Sequence, residues 1–260
     1  MPLRSVIHRE ILNQDPRAPR LVTVHGAMDR GNSFRALAQQ LAPIEVVIWD
    51  RAGYAHSLDA EPVDVGDQLG DLRAILDEKP AIVFGHSLGG TYALWLASLG
   101  HPNVLGVSTF ESPLPGGAWW GEDWDVDPVD AALGRVDVER AGDLAEAFLR
   151  RMISDAVWER LPDRTKRLRR AEGAVFLREL GQLVTGEIAF DLASIGVDVV
   201  AGISERPSHH HRFGLAQLVE VTNAMSYCVM HARHGAHLTN PGALAEVLRQ
   251  QFETVLWPTM

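Results

Sequence analysis

The chain has 260 residues, of which 46% are hydrophobic and 22% are charged, so it has the size and composition of one large globular domain and is too short for two full catalytic domains. Its formal net charge of −10 disfavours nucleic acid and anionic membrane surfaces as partners. The only cysteine, Cys228, excludes an intrachain disulfide, and because no basic and apolar leader or membrane-spanning run is visible, we expect a cytoplasmic protein that binds a small-molecule substrate.

The first part of the chain alternates short β-rich runs with helical spacing. Residues 1–12 predict a short antiparallel edge strand, and strands follow at 21–24 and 46–49. Between these two strands, a helix face is predicted by apolar residues spaced i, i+3, i+4 and i+7, namely Phe34, Leu37, Ala38 and Leu41. This order predicts an α/β fold with a doubly wound, mostly parallel sheet, whose functional sites lie at the carboxyl ends of its strands.

The segment from Ala81 to Gly90 predicts the centre of the site. A run of apolar residues leads into the G-x-S-x-G pentapeptide Gly85 to Gly89, and helical spacing of apolar residues follows it. This order is typical of a strand, a nucleophile elbow and a helix, in which the serine takes a strained backbone conformation and the flanking glycines avoid collisions. Ser87 would then stand exposed at the carboxyl edge of the sheet, with the backbone amide of Leu88 as an oxyanion donor.

The alternation of strands and helices stops after the next predicted strand, at 104–110. From 114 to 187 the chain has a Pro/Gly-rich opening and then arginine-rich helical stretches. We interpret 114–187 as a helical lid inserted into a core made of 1–113 and 188–260. Three tryptophans near the start of the lid would either line an apolar acyl or aromatic pocket or pack within the lid: Trp119, Trp120 and Trp124.

A serine hydroxyl becomes an effective nucleophile when a histidine takes its proton and a carboxylate holds that histidine in the right tautomer. Strands resume at 197–203 and 227–230, and three histidines follow the second of them: His231, His234 and His237. Any of these three could reach the edge of the sheet. We expect His231 to end the strand and pack there, which leaves two candidates for the base.

Two glutamates are candidates for the carboxylate, and both keep the chain order serine, acid, histidine. Glu111 directly ends the strand at 104–110, and Glu205 follows the strand at 197–203. A carboxylate that ends a buried strand is rarely a chance surface residue, whereas Arg206 beside Glu205 makes a surface ion pair an equally natural role. We therefore favour Glu111 over Glu205.

Taken in chain order, these segments resemble the α/β-hydrolase superfamily. The pair His25-Gly26 resembles its oxyanion loop, and the run from Asp50 to Ser57 resembles its D-x-x-G-x-G-x-S segment, with Ala55 where glycine is usual. The elbow and the histidine-containing tail complete the pattern. The resemblance spans both core portions and implies the α/β-hydrolase fold.

The resemblance also implies roles for individual residues. It implies the amide of Ala27 as the second oxyanion donor. Relatives place the catalytic histidine seven residues before the proline that opens the last helix, which is the distance from His234 to Pro241 and implies His234 rather than His237 as the base. Some relatives supply their acid from the strand end that Glu111 occupies.

The implied activity is that of a serine hydrolase that cleaves a small or medium apolar carboxylic ester or a lactone through an acyl-enzyme on Ser87, without a cofactor or metal. The same constellation performs C–C bond hydrolysis, perhydrolysis and amide cleavage, so these activities stay alternatives. A non-catalytic binding protein with this fold is an alternative of another class. We expect the run His209-His210-His211 to be a polar loop, because adjacent histidines seldom converge on one metal ion.

Overall fold

Seven strands form one sheet in the computed structural model, which describes residues 3–60, 64–115 and 126–256. The strands are β1 (Arg9–Leu12), β2 (Arg20–Val24), β3 (Glu45–Trp49), β4 (Ala81–His86), β5 (Val104–Phe110), β6 (Asp198–Ser204) and β7 (Met225–Val229). Their order in the sheet is β1-β3-β2-β4-β5-β6-β7, with β1 antiparallel to β3 and the other pairs parallel. The predicted doubly wound, mostly parallel sheet is therefore confirmed.

Helices connect the strands and cover both faces of the sheet. In chain order they are α1 (Arg35–Gln40), α2 (Val65–Asp77), α3 (Leu88–Ser98), α4 (Pro128–Ala132), α5 (Val138–Ile153), α6 (Asp155–Glu159), α7 (Asp163–Ala171), α8 (Gly173–Val184), α9 (His209–Thr222), α10 (Ala236–Thr239) and α11 (Pro241–Leu256). Within the described ranges, none of these helices combines the length and the apolar character that crossing a membrane requires.

The core lies on both sides of the sheet because successive side chains of a strand point to opposite faces. On one face, Val22 and Val47 pack in a cluster with residues of α2, α3, α5 and α8. On the other face, their neighbours Leu21 and Val46 pack with residues of α1 and α11. Since both faces are covered, these strands are continuous apolar runs, as expected for parallel strands.

The described part of the predicted lid forms helices α4 to α8, between β5 and β6. We call these five the inserted helices. α8 packs against α4 and α5, and the rings of Phe148 in α5 and Phe176 in α8 lie 4.8 Å apart. The three tryptophans predicted to line a pocket, Trp119, Trp120 and Trp124, lie outside the described residues. The role of the inserted helices as a lid stays a prediction.

The predicted site residues follow the carboxyl ends of neighbouring parallel strands. Ser87 follows β4, and Glu111 follows β5, which pairs with β4. The segment that contains His234 follows β7, at the end of the sheet opposite to β1. Because the carboxyl ends of parallel strands share one edge, the topology brings residues that are distant in sequence to one place.

Candidate active site

Ser87 occupies a strained turn between β4 and α3. Its backbone has φ 52° and ψ −130°, a region that residues with a side chain rarely adopt. The segment also packs too tightly for a side chain next to it, because a Cβ atom at Gly89 would lie 2.1 Å from the backbone oxygen of Val24. The pentapeptide therefore forms the tight strand-to-helix turn that its sequence predicts.

The structure brings His234 and Glu111 into direct contact. His234 Nδ1 lies 2.7 Å from Glu111 Oε2. Oε1 of the same carboxylate accepts hydrogen bonds from the backbone N–H of Ser204, at 2.9 Å, and from its hydroxyl, at 2.5 Å. Glu111 is only 2% exposed and has φ 49°, so a strained turn at the end of β5 fixes its carboxylate.

Hydrogen bonds keep the Glu111 carboxylate ionised. Burial by itself raises the pKa of a carboxyl group, but the hydrogen bonds from His234 and Ser204 outweigh burial and lower the pKa of Glu111 from 4.5 to about 2. Because an ionised carboxylate only accepts hydrogen bonds, Nδ1 of His234 carries the proton and Nε2 is the acceptor of the ring. This is the tautomer in which a histidine can accept a proton from a serine hydroxyl.

The alternative acid and base bind other partners. Glu205 Oε2 accepts a hydrogen bond from the backbone N–H of His231 at 3.0 Å and lies 3.7 Å from Nδ1 of that histidine. His237 Nε2 lies 3.1 Å from Asp29 Oδ2. Of the candidate acids and bases, the structure therefore pairs Glu111 with His234.

The segment that follows β2 lies directly on the elbow. A Cβ atom at Gly26 would lie 2.8 Å from Cβ of Ser87, so this approach requires glycine. Leu88 is the first residue of α3, and the N–H of a first helical residue has no acceptor within its helix. The amides of Leu88 and Ala27 thus belong to the two backbone segments that meet at Ser87, where oxyanion donors are expected.

A buried arginine holds the segment 25–29, which follows β2 and carries the candidate donor Ala27; we call it the oxyanion segment. Arg51 donates a hydrogen bond from Nε to the backbone oxygen of His25, at 2.9 Å, and another from Nη2 to the backbone oxygen of Gly26, at 3.2 Å. The His25 ring accepts at Nε2 from the backbone N–H of Arg51 and donates from Nδ1 to the backbone oxygen of Gly26. Burial and the charge of Arg51 lower the pKa of His25 to about 3, so this ring is neutral and holds the loop together.

A glutamate from the inserted helices balances the charge of Arg51. Glu179 of α8 forms an ion pair with Arg51, and both side chains are 0% exposed. Glu179 also accepts hydrogen bonds from the hydroxyls of Tyr54, at 2.6 Å, and Tyr92, at 2.7 Å. This buried cluster joins α8 to the oxyanion segment. The sequence offers no signal for it, because Arg51 and Glu179 lie 128 residues apart.

The triplet 209–211 is not the polar loop expected from the sequence but the start of α9. Successive helical side chains point in different directions, so the triplet can turn one ring inward. That ring is His211, which stacks on His234 with centroids 4.9 Å apart and an angle of 7° between the planes. His211 Nδ1 lies 3.4 Å from Glu111 Oε2 and 2.8 Å from Ser208 Oγ. His211 is therefore a member of the site that sequence reasoning missed.

The variable residue of the elbow, His86, supports the turn that carries His234. His86 Nε2 donates a hydrogen bond to the backbone oxygen of His234 at 2.8 Å, and the two rings lie 4.6 Å apart. Burial lowers the pKa of His86 well below its ordinary value, and the neighbouring His237 and His234 lower it further, so the ring is neutral. This contact gives His86 a structural role in the site.

Known proteins resemble this chain in both sequence and fold. The model of the alpha/beta hydrolase family matches residues 21–247. Lipase LipV of Mycobacterium tuberculosis is 32% identical over 97 residues, which span 36% of this chain and 37% of the lipase. The enol-lactonase of Burkholderia xenovorans LB400 has a similar fold, with a TM-score of 0.69, 19% identity and coverage of 94% of this chain and 95% of that chain. MenH from S. aureus gives a TM-score of 0.72 at 16% identity, with 96% of this chain and 99% of that chain covered. Because the family model matches most of the chain, and the fold agrees with it, the chain belongs to the alpha/beta hydrolase family.

Proposed function

We propose that this protein is a serine hydrolase that cleaves small or medium apolar carboxylic esters or lactones through an acyl-enzyme on Ser87. One observation carries the proposal: the ionised Glu111 holds His234 by a 2.7 Å hydrogen bond at the sheet edge where the strained elbow presents Ser87. A nucleophile, a base and an acid that orients the base are the groups that acyl transfer requires. We assign the oxyanion donors to the amides of Ala27 and Leu88.

In the acylation half, the Ser87 hydroxyl attacks the substrate carbonyl carbon while His234 Nε2 takes the hydroxyl proton. The carbonyl π electrons move to the oxygen, and the amides of Ala27 and Leu88 stabilise the resulting oxyanion. When the carbonyl re-forms, the bond to the alcohol oxygen breaks and His234 returns the proton to that oxygen. Glu111 stays ionised throughout and stabilises the transient imidazolium.

In the deacylation half, water takes the place of the serine hydroxyl. His234 removes a proton from the water as it attacks the acyl carbon, and a second oxyanion forms at the same two amides. Its collapse breaks the bond to Ser87 Oγ, which recovers its proton from His234, and the carboxylic acid leaves. The protein's own side chains supply every proton transfer, so the cycle needs no cofactor.

An ester or lactone substrate is supported by two similar proteins and by the tryptophans of the predicted lid. LipV is a lipase, and the similar Burkholderia protein is an enol-lactonase. An apolar acyl group suits the tryptophans that open the predicted lid, Trp119, Trp120 and Trp124. Amides and C–C bonds use the same three residues with a different leaving group, so a panel of ester, lactone, amide and β-diketone substrates separates these activities.

Labelling with a fluorophosphonate probe tests the proposal. We expect one covalent adduct on the folded wild-type protein, located on Ser87 by peptide mapping, because the probe reports an activated serine. Ser87→Ala is the matched control and should take up no probe while keeping the same thermal unfolding profile. If folded wild-type protein remains unlabelled, the serine hydrolase is contradicted and a non-catalytic binding protein is favoured.

His211→Phe should lower kcat/KM for an activated ester roughly tenfold. The phenyl ring keeps the stacking on His234 but loses the hydrogen bond between His211 Nδ1 and Ser208 Oγ, and such a bond contributes about 0.5–1.5 kcal/mol. The loss should lie at the upper end of that range, because the same nitrogen is also 3.4 Å from the carboxylate oxygen Oε2 of Glu111. Steady-state kinetics check the value, with the exposed His209→Phe as control. Equal kcat/KM values for the two variants would show that the polar atoms of His211 do not contribute to activity.

A further inference from the structure

A second cluster of titratable side chains includes His86, whose ring lies 4.6 Å from that of His234. Asp29 comes from the segment after β2, His86 from the elbow, and His237 from α10. One oxygen or nitrogen atom from each of the three lies within 4.8 Å of the corresponding atoms of the other two. The rings of His86 and His237 have centroids 4.2 Å apart. Three separate parts of the chain therefore converge on one small volume.

The tautomer of His86 follows from its hydrogen bond to the backbone oxygen of His234. A carbonyl oxygen only accepts, so Nε2 carries the single proton of this neutral ring and Nδ1 has an unshared electron pair. Nδ1 is buried and has no hydrogen-bond partner within the described part of the chain. It lies 3.9 Å from Asp29 Oδ2. Two acceptor atoms thus face each other, and a cation placed between them would give Nδ1 of His86 a partner.

His237 completes the same set. It is 2% exposed, and its Nε2 lies 3.1 Å from Asp29 Oδ2. In the metal-free chain this nitrogen donates to the carboxylate, and the other ring nitrogen, Nδ1, is buried without a partner among the described residues. Binding of a cation would move the ring's one proton from Nε2 to Nδ1, so that Nε2 becomes a ligand. Asp29 also accepts a hydrogen bond from the hydroxyl of Ser33 at 3.0 Å, which holds its carboxylate in place.

We propose that Asp29, His86 and His237 form a binding site for a divalent transition-metal ion, with Zn²⁺ as its representative. Two imidazole nitrogens and one carboxylate oxygen are a donor set that Zn²⁺ accepts, whereas Ca²⁺ and Mg²⁺ prefer oxygen ligands. The three ligands leave a fourth, open position on a tetrahedral ion. Asp29 is the most exposed of the three, with 19% of its side chain accessible, and provides the entry path.

A bound ion would join three segments that meet at Ser87: the oxyanion segment, the elbow and the helix that follows His234. It would also bind Nδ1 of His86, which has no hydrogen-bond partner in the described ranges, and would leave the hydrogen bond from Nε2 to the His234 backbone in place. An ion that binds the folded chain and not the unfolded chain raises stability by mass action. The site therefore predicts a stabilising metal, and this prediction does not depend on the hydrolase activity.

Thermal unfolding with ZnCl₂ and MgCl₂ tests the site. We expect Zn²⁺ to raise the Tm of the wild-type chain by roughly 5–10 °C at about one hundred times its Kd, and Mg²⁺ to have no effect. Asp29→Asn and His237→Gln each remove one ligand and should abolish the Zn²⁺ shift. Isothermal titration calorimetry of the wild-type chain should give one tight Zn²⁺ site, so the proposal remains testable if one variant does not fold.

Two other groups in the described part of the chain could bind Zn²⁺, and each has a control variant. They are His8 with Asp50 and His56, and Glu111 with His211 and His234. His56→Ala and His211→Asn disrupt these groups and should keep the full Tm shift. The proposal is overturned if calorimetry detects no Zn²⁺ site, if the shift persists in Asp29→Asn or His237→Gln, or if only a control variant loses it.

Discussion

Glu111→Gln is expected to lower kcat/KM for an activated ester by about 10⁴-fold, because an amide at the acid position holds the histidine in the wrong tautomer. Oε1 of Glu111 faces the backbone N–H of Ser204 at 2.9 Å, so a glutamine must place its oxygen there. Its NH₂ group then points at Nδ1 of His234, which can only accept from it. The remaining proton moves to Nε2, and His234 can no longer take the proton of Ser87.

The control for this change is Glu205→Gln, which alters a glutamate that caps the backbone of His231. We expect its kcat/KM to stay within about twofold of wild type, since surface changes away from the site have small effects. Steady-state kinetics on the same ester and matching far-UV spectra check both variants. Full activity in Glu111→Gln, or an equal loss in the two variants, would show that another carboxylate orients His234.

Local sequence signals were sufficient for residues that follow a buried strand. Ser87 and Glu111 each come directly after an apolar run, and the order of strands and helices predicts that parallel strand ends share one edge. The fold class and the Glu111–His234 contact could therefore be predicted without coordinates. His234 needed the resemblance to relatives, in which the catalytic histidine stands seven residues before the proline that opens the last helix.

The missed residues depend on tertiary contacts for which periodicity gives no partner. Helical spacing indicates which face of a segment is buried, but it does not say what that face touches. Which histidine of the triplet 209–211 points inward depends on where α9 starts, and this residue is His211. Glu179 contacts Arg51 although 128 residues separate them in the sequence. Asp29 and His237 are 208 residues apart and meet only because both flank the elbow. These contacts emerge only when the sheet and its helices are assembled.

Arg51→Met should lower the free energy of unfolding by about 3–5 kcal/mol, because it leaves the buried charge of Glu179 without its partner. Both side chains are 0% exposed, so water cannot replace the guanidinium. The variant also loses the two hydrogen bonds to the backbone oxygens of His25 and Gly26, which fix the oxyanion segment. We therefore expect kcat to fall as well, at temperatures where the variant is still folded. Urea unfolding followed by circular dichroism measures the loss of stability.

Two further variants distinguish the cost of leaving a buried charge unpaired from the cost of changing the shape of the side chain. Arg35→Met makes the same substitution at an exposed ion pair with Glu10, whose side chains are 40% and 41% accessible, and should cost less than about 1 kcal/mol. Arg51→Met combined with Glu179→Gln removes both charges and keeps one side-chain oxygen, which can accept from the hydroxyl of Tyr54 or of Tyr92. Because the main cost is the unpaired carboxylate, the double variant should be more stable than Arg51→Met alone. If the double variant is instead the less stable of the two, the loss comes from packing around Arg51, and the charge of Glu179 is not its cause.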